Sequence, residues 1–301
     1  MYGNKKMNLK RFFAKLILFG TSLIAAQLAA GIAHAQDAAE TNQRKRQFGE
    51  PFQSVFPFSG LGSQWWIAQY DHPANWFQTA WRKSSVDLGA AGIAFSLTAT
   101  DQDNIVEASV LKEDDGTLIG EGMTTKAFTS GQMQRNKWYG YGRYEVIMQP
   151  ASGDGLITAF YLYTGPYFGD THEEVDIEFL GRNPNKIHLN RYRDGQPLEE
   201  PKWMDLGFDS TERPRLYAFE WNEDSLVWYA GETELFRISD PDEVPVPPAK
   251  IYLDLWAGGT GQADWAGQAT ETSAGNALVQ CASYTPPSQD TPQCSDLMNG
   301  E

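Results

Sequence analysis

The sequence predicts an all-β domain, an antiparallel β-sandwich or jelly roll. Short runs of alternating apolar and polar residues recur from about Phe52 to Tyr284, and Gly, Pro, Asn and Asp separate them at regular intervals. Few windows carry a 3.6-residue apolar stripe, so the crossover helices that a parallel α/β sheet requires are not expected. With 41% hydrophobic and 13% aromatic residues in 301, the chain can bury one large core. No internal repeat or long low-complexity segment divides it.

The N-terminus reads differently from the rest. Lys5, Lys6, Lys10, Arg11 and Lys15 precede a hydrophobic run from Leu16 to Ile32, and Ala33-His34-Ala35 places small residues at a cleavage site. This pattern predicts a secretory signal over 1–35, cut after Ala35, and a secreted or periplasmic mature protein. An uncleaved membrane anchor is the alternative. A polar lead-in (36–51), one folded domain (52–285) and a Pro-rich tail (286–301) follow. Removing five positive charges takes the net charge from −15 to −20. That balance excludes nucleic acid and anionic membrane surfaces as natural partners and leaves neutral polymers open. Cys281 and Cys294, with twelve residues between them, are expected to form a disulfide that ties down the tail. No Cys/His spacing suggests zinc.

Seven strands are expected in the second half: RYEVIM (143–148), LITAFYLY (156–163), EVDIEFL (174–180), KIHLNRY (186–192), RLYAFEW (215–221), SLVWYA (225–230) and IYLDLW (251–256). The third stands out. In THEEVDIEFLG the apolar face is Val175, Ile177 and Phe179, and the other face is Glu174, Asp176 and Glu178. Like charges on neighbouring positions repel, so a merely solvated face would carry a mixture. At about 3.4 Å per residue, the Cα atoms of Glu174 and Glu178 stand about 13 Å apart. Two inward-leaning side chains could then reach the separations of about 5 to 9.5 Å used in glycoside cleavage. Three carboxyls this close cannot all ionise freely, so at least one is expected to hold a proton. Calcium prefers a wrapping loop to a straight strand, and an acidic surface strand is the remaining alternative.

EEVDIEFLG resembles the E-x-D-x-E active-site strand of glycoside hydrolase family 16. YGYGRYEVIMQPASGDGLITAFYLYTGP (139–166) resembles the two preceding strands of bacterial lichenases. LGFD (206–209), YAFEW (217–221), LVWY (226–229), IYLDLWAG (251–258) and DWAG (264–267) continue the likeness in order, over about 200 residues. The resemblance implies a concanavalin A-like jelly roll whose concave sheet forms the substrate cleft. It implies Glu174 as nucleophile, Glu178 as general acid and then base, Asp176 as the group tuning the pair, and retention of configuration. It further implies substrate contacts from Tyr161, Tyr163, Asn190 and Trp256. The same-face rule adds His188, Tyr192 and Asp254. Sugar rings present apolar C–H faces, which suits aromatic platforms with polar groups between them.

Several positions depart from the lichenase pattern. His172 replaces a Trp two residues before the nucleophile, which resembles plant xyloglucan endotransglycosylases; it would stack on sugar or act on a neighbouring acid. Gln132 and Gln134 stand where lichenases carry an acidic and a basic sugar contact. Asp254 replaces an Asn, and Thr79 and Ser130 replace a disulfide. No cofactor is implied, and the family's structural calcium-ligand position falls on Gln280. The resulting expectation is a monomeric, secreted endo-β-glucanase acting on β-1,3-1,4-linked glucan or a succinoglycan-type exopolysaccharide. A transglycosylase and a non-catalytic lectin-like protein are the alternatives.

Overall fold

The computed structural model describes residues 46–298, apart from 58, 72–73, 75, 101–106, 109–110, 113–117, 120–121, 124–125 and 201. The expected signal segment and most of the lead-in lie outside the described residues. Among the described residues, no helix is long and apolar enough to cross a membrane.

The chain begins with β1 (Phe52–Val55), β2 (Trp65–Ile67), β3 (Tyr70–Asp71), β4 (Thr79–Trp81), β5 (Val86–Gly89) and β6 (Gly92–Ala99). Four two-residue strands follow: β7 (Glu107–Ala108), β8 (Leu111–Lys112), β9 (Leu118–Ile119) and β10 (Gly122–Met123). Next come β11 (Phe128–Ser130), β12 (Gln132–Arg135), β13 (Gly142–Gln149), β14 (Leu156–Thr164) and β15 (Glu173–Leu180). The remainder supplies β16 (Lys186–Arg193), β17 (Gln196–Pro197), β18 (Lys202–Asp205) and β19 (Arg215–Trp221). The last four are β20 (Leu226–Ala230), β21 (Thr233–Ile238), β22 (Lys250–Ala257) and β23 (Gly275–Thr285). All seven expected strands form, within a residue or so of their expected ends.

Two large sheets stack as a β-sandwich jelly roll. The front sheet runs β17-β16-β15-β14-β22-β12-β2, with β18 also paired to β16. The back sheet runs β21-β20-β19-β13-β23-β6-β11-β4-β3, with β1 on β23 and β5 on β6. The core fills the space between them, because alternate residues of each strand point inward. Val175, Ile177 and Phe179 of β15 sit there beside Phe160 and Leu162 of β14 and Leu253 and Leu255 of β22. Opposite them lie Tyr144, Val146, Tyr217, Phe219 and Trp228 of the back sheet. Phe160 meets Phe219 at 5.3 Å between ring centroids, and Phe179 meets Tyr217 at 4.6 Å. Each such side chain contributes about 1.5–3 kcal/mol by burial. Trp228 of β20 also donates its Nε1–H to the Asp176 carbonyl at 3.0 Å. The back sheet thereby holds the acidic strand by its backbone as well as by its apolar face.

The disulfide forms between Cys281 of β23 and Cys294, both fully buried. Cys294 N–H donates to Ser283 Oγ, and Ser295 N–H donates to the buried Glu145 carboxylate at 2.7 Å. The described part of the tail is thus fastened to β23 and β13. Because the bridged cysteines are 13 positions apart, replacing both by Ala should lower the unfolding free energy by about 3 kcal/mol. Urea unfolding of the oxidised protein and the double variant measures this; equal midpoints would place the tail's hold in its hydrogen bonds alone.

Candidate active site

The front sheet brings the sequence-predicted residues onto one face because directly opposed residues in an antiparallel ladder share a face. Three rows cross β15. Glu174 lies between Tyr192 of β16 and Tyr163 of β14. Asp176 lies between Asn190 and Tyr161, and the row continues through Tyr252 of β22 and Gln134 of β12 to Trp66 of β2. Glu178 lies between His188 and Ala159, and that row continues to Asp254 and Gln132 on one side and to Trp203 of β18 on the other. Trp256 follows in the next row, opposite Ile157.

Burial orders the three carboxyls. Desolvation, then the charges of Glu174 and Glu178, pushes the Asp176 carboxyl well above its ordinary range. It therefore holds a proton and donates it to the Glu174 carboxylate. Desolvation also raises Glu174, and the bond from His172 opposes that rise. The sequence expectation of at least one protonated group among the three agrees with the direction of this shift at the middle position.

Each outer glutamate has an imidazole of its own. His172 Nε2 shares a 2.5 Å hydrogen bond with Glu174 Oε2, and its ring stacks on Tyr192 at 4.1 Å. Contact with a neighbouring acid, one of its two expected roles, is therefore present, and part of the ring also stays open. His188 Nδ1 shares a 3.0 Å hydrogen bond with Glu178 Oε2, and its ring is flanked by Trp203 and Trp265. Glu173, next in sequence, faces away from the site. It accepts from Arg193, from the backbone N–H of Asp194 and from that of Val246, and so anchors the start of the strand.

The remaining expected contacts divide into two groups. Tyr161, Tyr163, His172 and Tyr192 keep part of their surface open. His188, Asn190, Asp254 and Trp256 are nearly covered: Asn190 accepts from Leu198 N–H, and Trp256 packs against Phe77 and Trp265. Asp254 Oδ2 accepts from Gln132 Nε2 at 2.9 Å and from the Tyr161 hydroxyl at 3.0 Å, while Tyr70 donates to Gln132 Oε1. Its other oxygen, Oδ1, is buried with no protein partner. Burial raises the Asp254 carboxyl to about 7, against the two hydrogen bonds it accepts.

Sequence reasoning missed Tyr252, which stacks on Tyr161 at 4.9 Å, although it shares the i, i+2, i+4 face with Asp254 and Trp256. Tyr70 and Trp66 come from short N-terminal strands with no distinct alternation to reveal them. Among the other tryptophans, Trp65, Trp81, Trp138, Trp221 and Trp228 are core, whereas Trp66, Trp76 and Trp203 are exposed.

A jelly roll whose front face carries three carboxyls on alternate positions, bordered by tyrosine, tryptophan and histidine, defines a glycoside hydrolase. The chain belongs to glycosyl hydrolases family 16, whose model matches residues 75–275. It is 32% identical to a β-glucanase of Bacillus subtilis (strain 168), over 70% of this chain and 77% of that one. Its fold superposes on the β-glucanase of Bacillus licheniformis with a TM-score of 0.67 at 29% identity, covering 79% of this chain and 99% of the other. A prokaryotic β-1,3-1,4-glucanase (lichenase) from a mouse hindgut metagenome gives 0.67 at 26% identity, covering 79% and 100%.

The Asp254 carboxyl makes stability depend on pH. Unfolded, it loses its proton near the ordinary 3.8; folded, it keeps that proton to about 7. Between those values the folded chain binds the extra proton, so its stability falls as pH rises, by about 1.4 kcal/mol per unit. Asp254→Asn lacks this penalty. Urea unfolding at pH 4.5 and 7.5 should show wild type losing on the order of 2–4 kcal/mol relative to the variant. Parallel pH dependence of the two proteins would overturn the assignment.

Proposed function

We propose that the protein is an exported, retaining endo-β-glucanase that hydrolyses β-1,3-1,4-linked glucan. The observation that carries this reading is the arrangement of Glu174, Asp176 and Glu178 on one face, with buried Asp176 donating its proton to Glu174. The β-glucanase and lichenase relatives support the substrate class.

In this mechanism Glu174 is the nucleophile. Its carboxylate attacks the anomeric carbon while Glu178, as carboxylic acid, gives a proton to the departing glycosidic oxygen. A covalent glycosyl ester on Glu174 results, with inversion at that carbon. Glu178, now a carboxylate, takes a proton from water, and the hydroxide attacks the same carbon and releases Glu174. Two inversions give net retention. Asp176 and His172 hold the nucleophile's orientation through their bonds to it, and His188 does the same for Glu178. The exposed tyrosine surfaces at 161, 163 and 192 would face the sugar rings.

Mass spectrometry of products from mixed-linkage glucan and from succinoglycan tests the substrate. Oligosaccharides should appear from mixed-linkage glucan with wild type and be absent with Glu174→Gln; release from succinoglycan alone would redirect the reading to the bacterial polymer. Glu178→Gln should lower kcat by roughly 10²–10⁴-fold. Proton NMR of the first products should show the β-anomer at the new reducing end, and an initial α-anomer would overturn retention.

A further inference from the structure

An exposed tryptophan at the edge of the front sheet remains unused by this mechanism. In β18 the side chains alternate: Met204 packs against the core and Lys202 approaches the Phe236 ring at 5.6 Å, so Trp203 and Asp205 project from the outer face. Trp203 is 38% exposed. It stands directly opposite His188 in the ladder, with ring centroids 4.8 Å apart, and His188 in turn bonds Glu178. Strands pair at about 4.8 Å, which puts Trp203 about 10 Å from Glu178 along a single row. Beside it on the same face, exposed Lys186 and Asp205 form a 3.6 Å ion pair.

A large flat apolar side chain left in water, bordered by exposed polar groups and continuous with a row of site residues, matches what a sugar ring requires. The ring's C–H face covers the indole, and its hydroxyls at the rim reach the charged pair. We propose that Trp203 is the platform of an outer sugar subsite, stacking a ring of the same polysaccharide chain that is held at Glu174 and Glu178. This rests on the β-glucanase reading above. At the opposite edge of the sheet, six strand spacings or about 29 Å away, Trp66 is the corresponding exposed tryptophan. A polymer laid across the strands would therefore meet Trp203 only if it extends past β16 on that side, and an oligosaccharide ending closer to the carboxyls would not reach it.

The test is kinetics on mixed-linkage glucan and on its oligosaccharides in order of length, for wild type, Trp203→Ala, Trp203→Leu and Trp203→Tyr. Binding of the same series by calorimetry in the Glu174→Gln protein accompanies it. For Ala, KM should rise and affinity fall by about tenfold on the longest ligands, and the loss should shrink steadily toward the shortest cleaved oligosaccharide. Leu covers His188 with apolar atoms but offers no flat face, so it should behave as Ala does. Tyr should recover most of the loss. A loss equal at every length, carried by kcat, would overturn the subsite and make Trp203 a brace for His188 and Glu178. Wild-type cleavage of glucan with no length-dependent loss in any variant would overturn the subsite alone. A wild type inert on every β-glucan would overturn the activity reading, and the glucan subsite with it.

Discussion

The active face depends on one constraint: β15 is clamped from behind while its front carries three acids. Val175, Ile177 and Phe179 fill the core, and Trp228 holds the Asp176 carbonyl from the opposite sheet. A one-residue slip of this strand would expose those apolar side chains and drive the acids into the core. The burial of the back face therefore fixes the position of every carboxyl on the front. The same argument extends outward through the ladder. Once β15 is in register, β14 and β16 can only present Tyr161, Tyr163, Asn190 and Tyr192 beside it.

That rigid placement is what makes the charge arrangement tolerable. Three ionised carboxyls on alternate positions would repel one another strongly in a water-poor site. Asp176 is the most enclosed of them, lying between two neighbours that each favour its neutral form. Keeping a proton there removes one charge and turns a repulsive contact into a hydrogen bond to Glu174. Glu174 and Glu178 are more open and have imidazole partners instead. The strand thus carries different environments at positions that look equivalent in sequence, and that is how identical side chains can take different roles.

The period-two alternation made the fold class, the seven later strands and the acidic face legible in the sequence, because it is written locally in each segment. His172 was legible in principle too, since it continues the parity of Glu174, Asp176 and Glu178 by one further step. His188 against Glu178 was not, because its partner is set by the register across the turn between β15 and β16, which no local pattern encodes. Nor could sequence alone separate Trp203 from Trp228: each lies in a short strand, and only the packing of the two sheets decides which of them is covered. The near burial of Asp254 and Trp256 has the same origin. Parity placed them on the correct face, but Phe77, Trp265 and the Gln132 network come from distant segments.

The departures from the lichenase pattern look independent along the chain, yet the fold joins them. Gln132 and Asp254 are 122 positions apart in sequence but opposite each other in the ladder, hydrogen-bonded at 2.9 Å. Burial, aided by the charges of Glu178 and Glu174, keeps the Asp254 carboxyl protonated to about 7, against the hydrogen bonds from Gln132 and Tyr161, which favour its charged form. The amide at 132 and the acid at 254 thus act as one hydrogen-bonded unit of the front sheet. His172 follows similar logic, because its ring stacks on Tyr192 in the row of the very carboxyl it contacts. These contacts gather beside the acidic strand and shape its surroundings while leaving the three carboxyls in register.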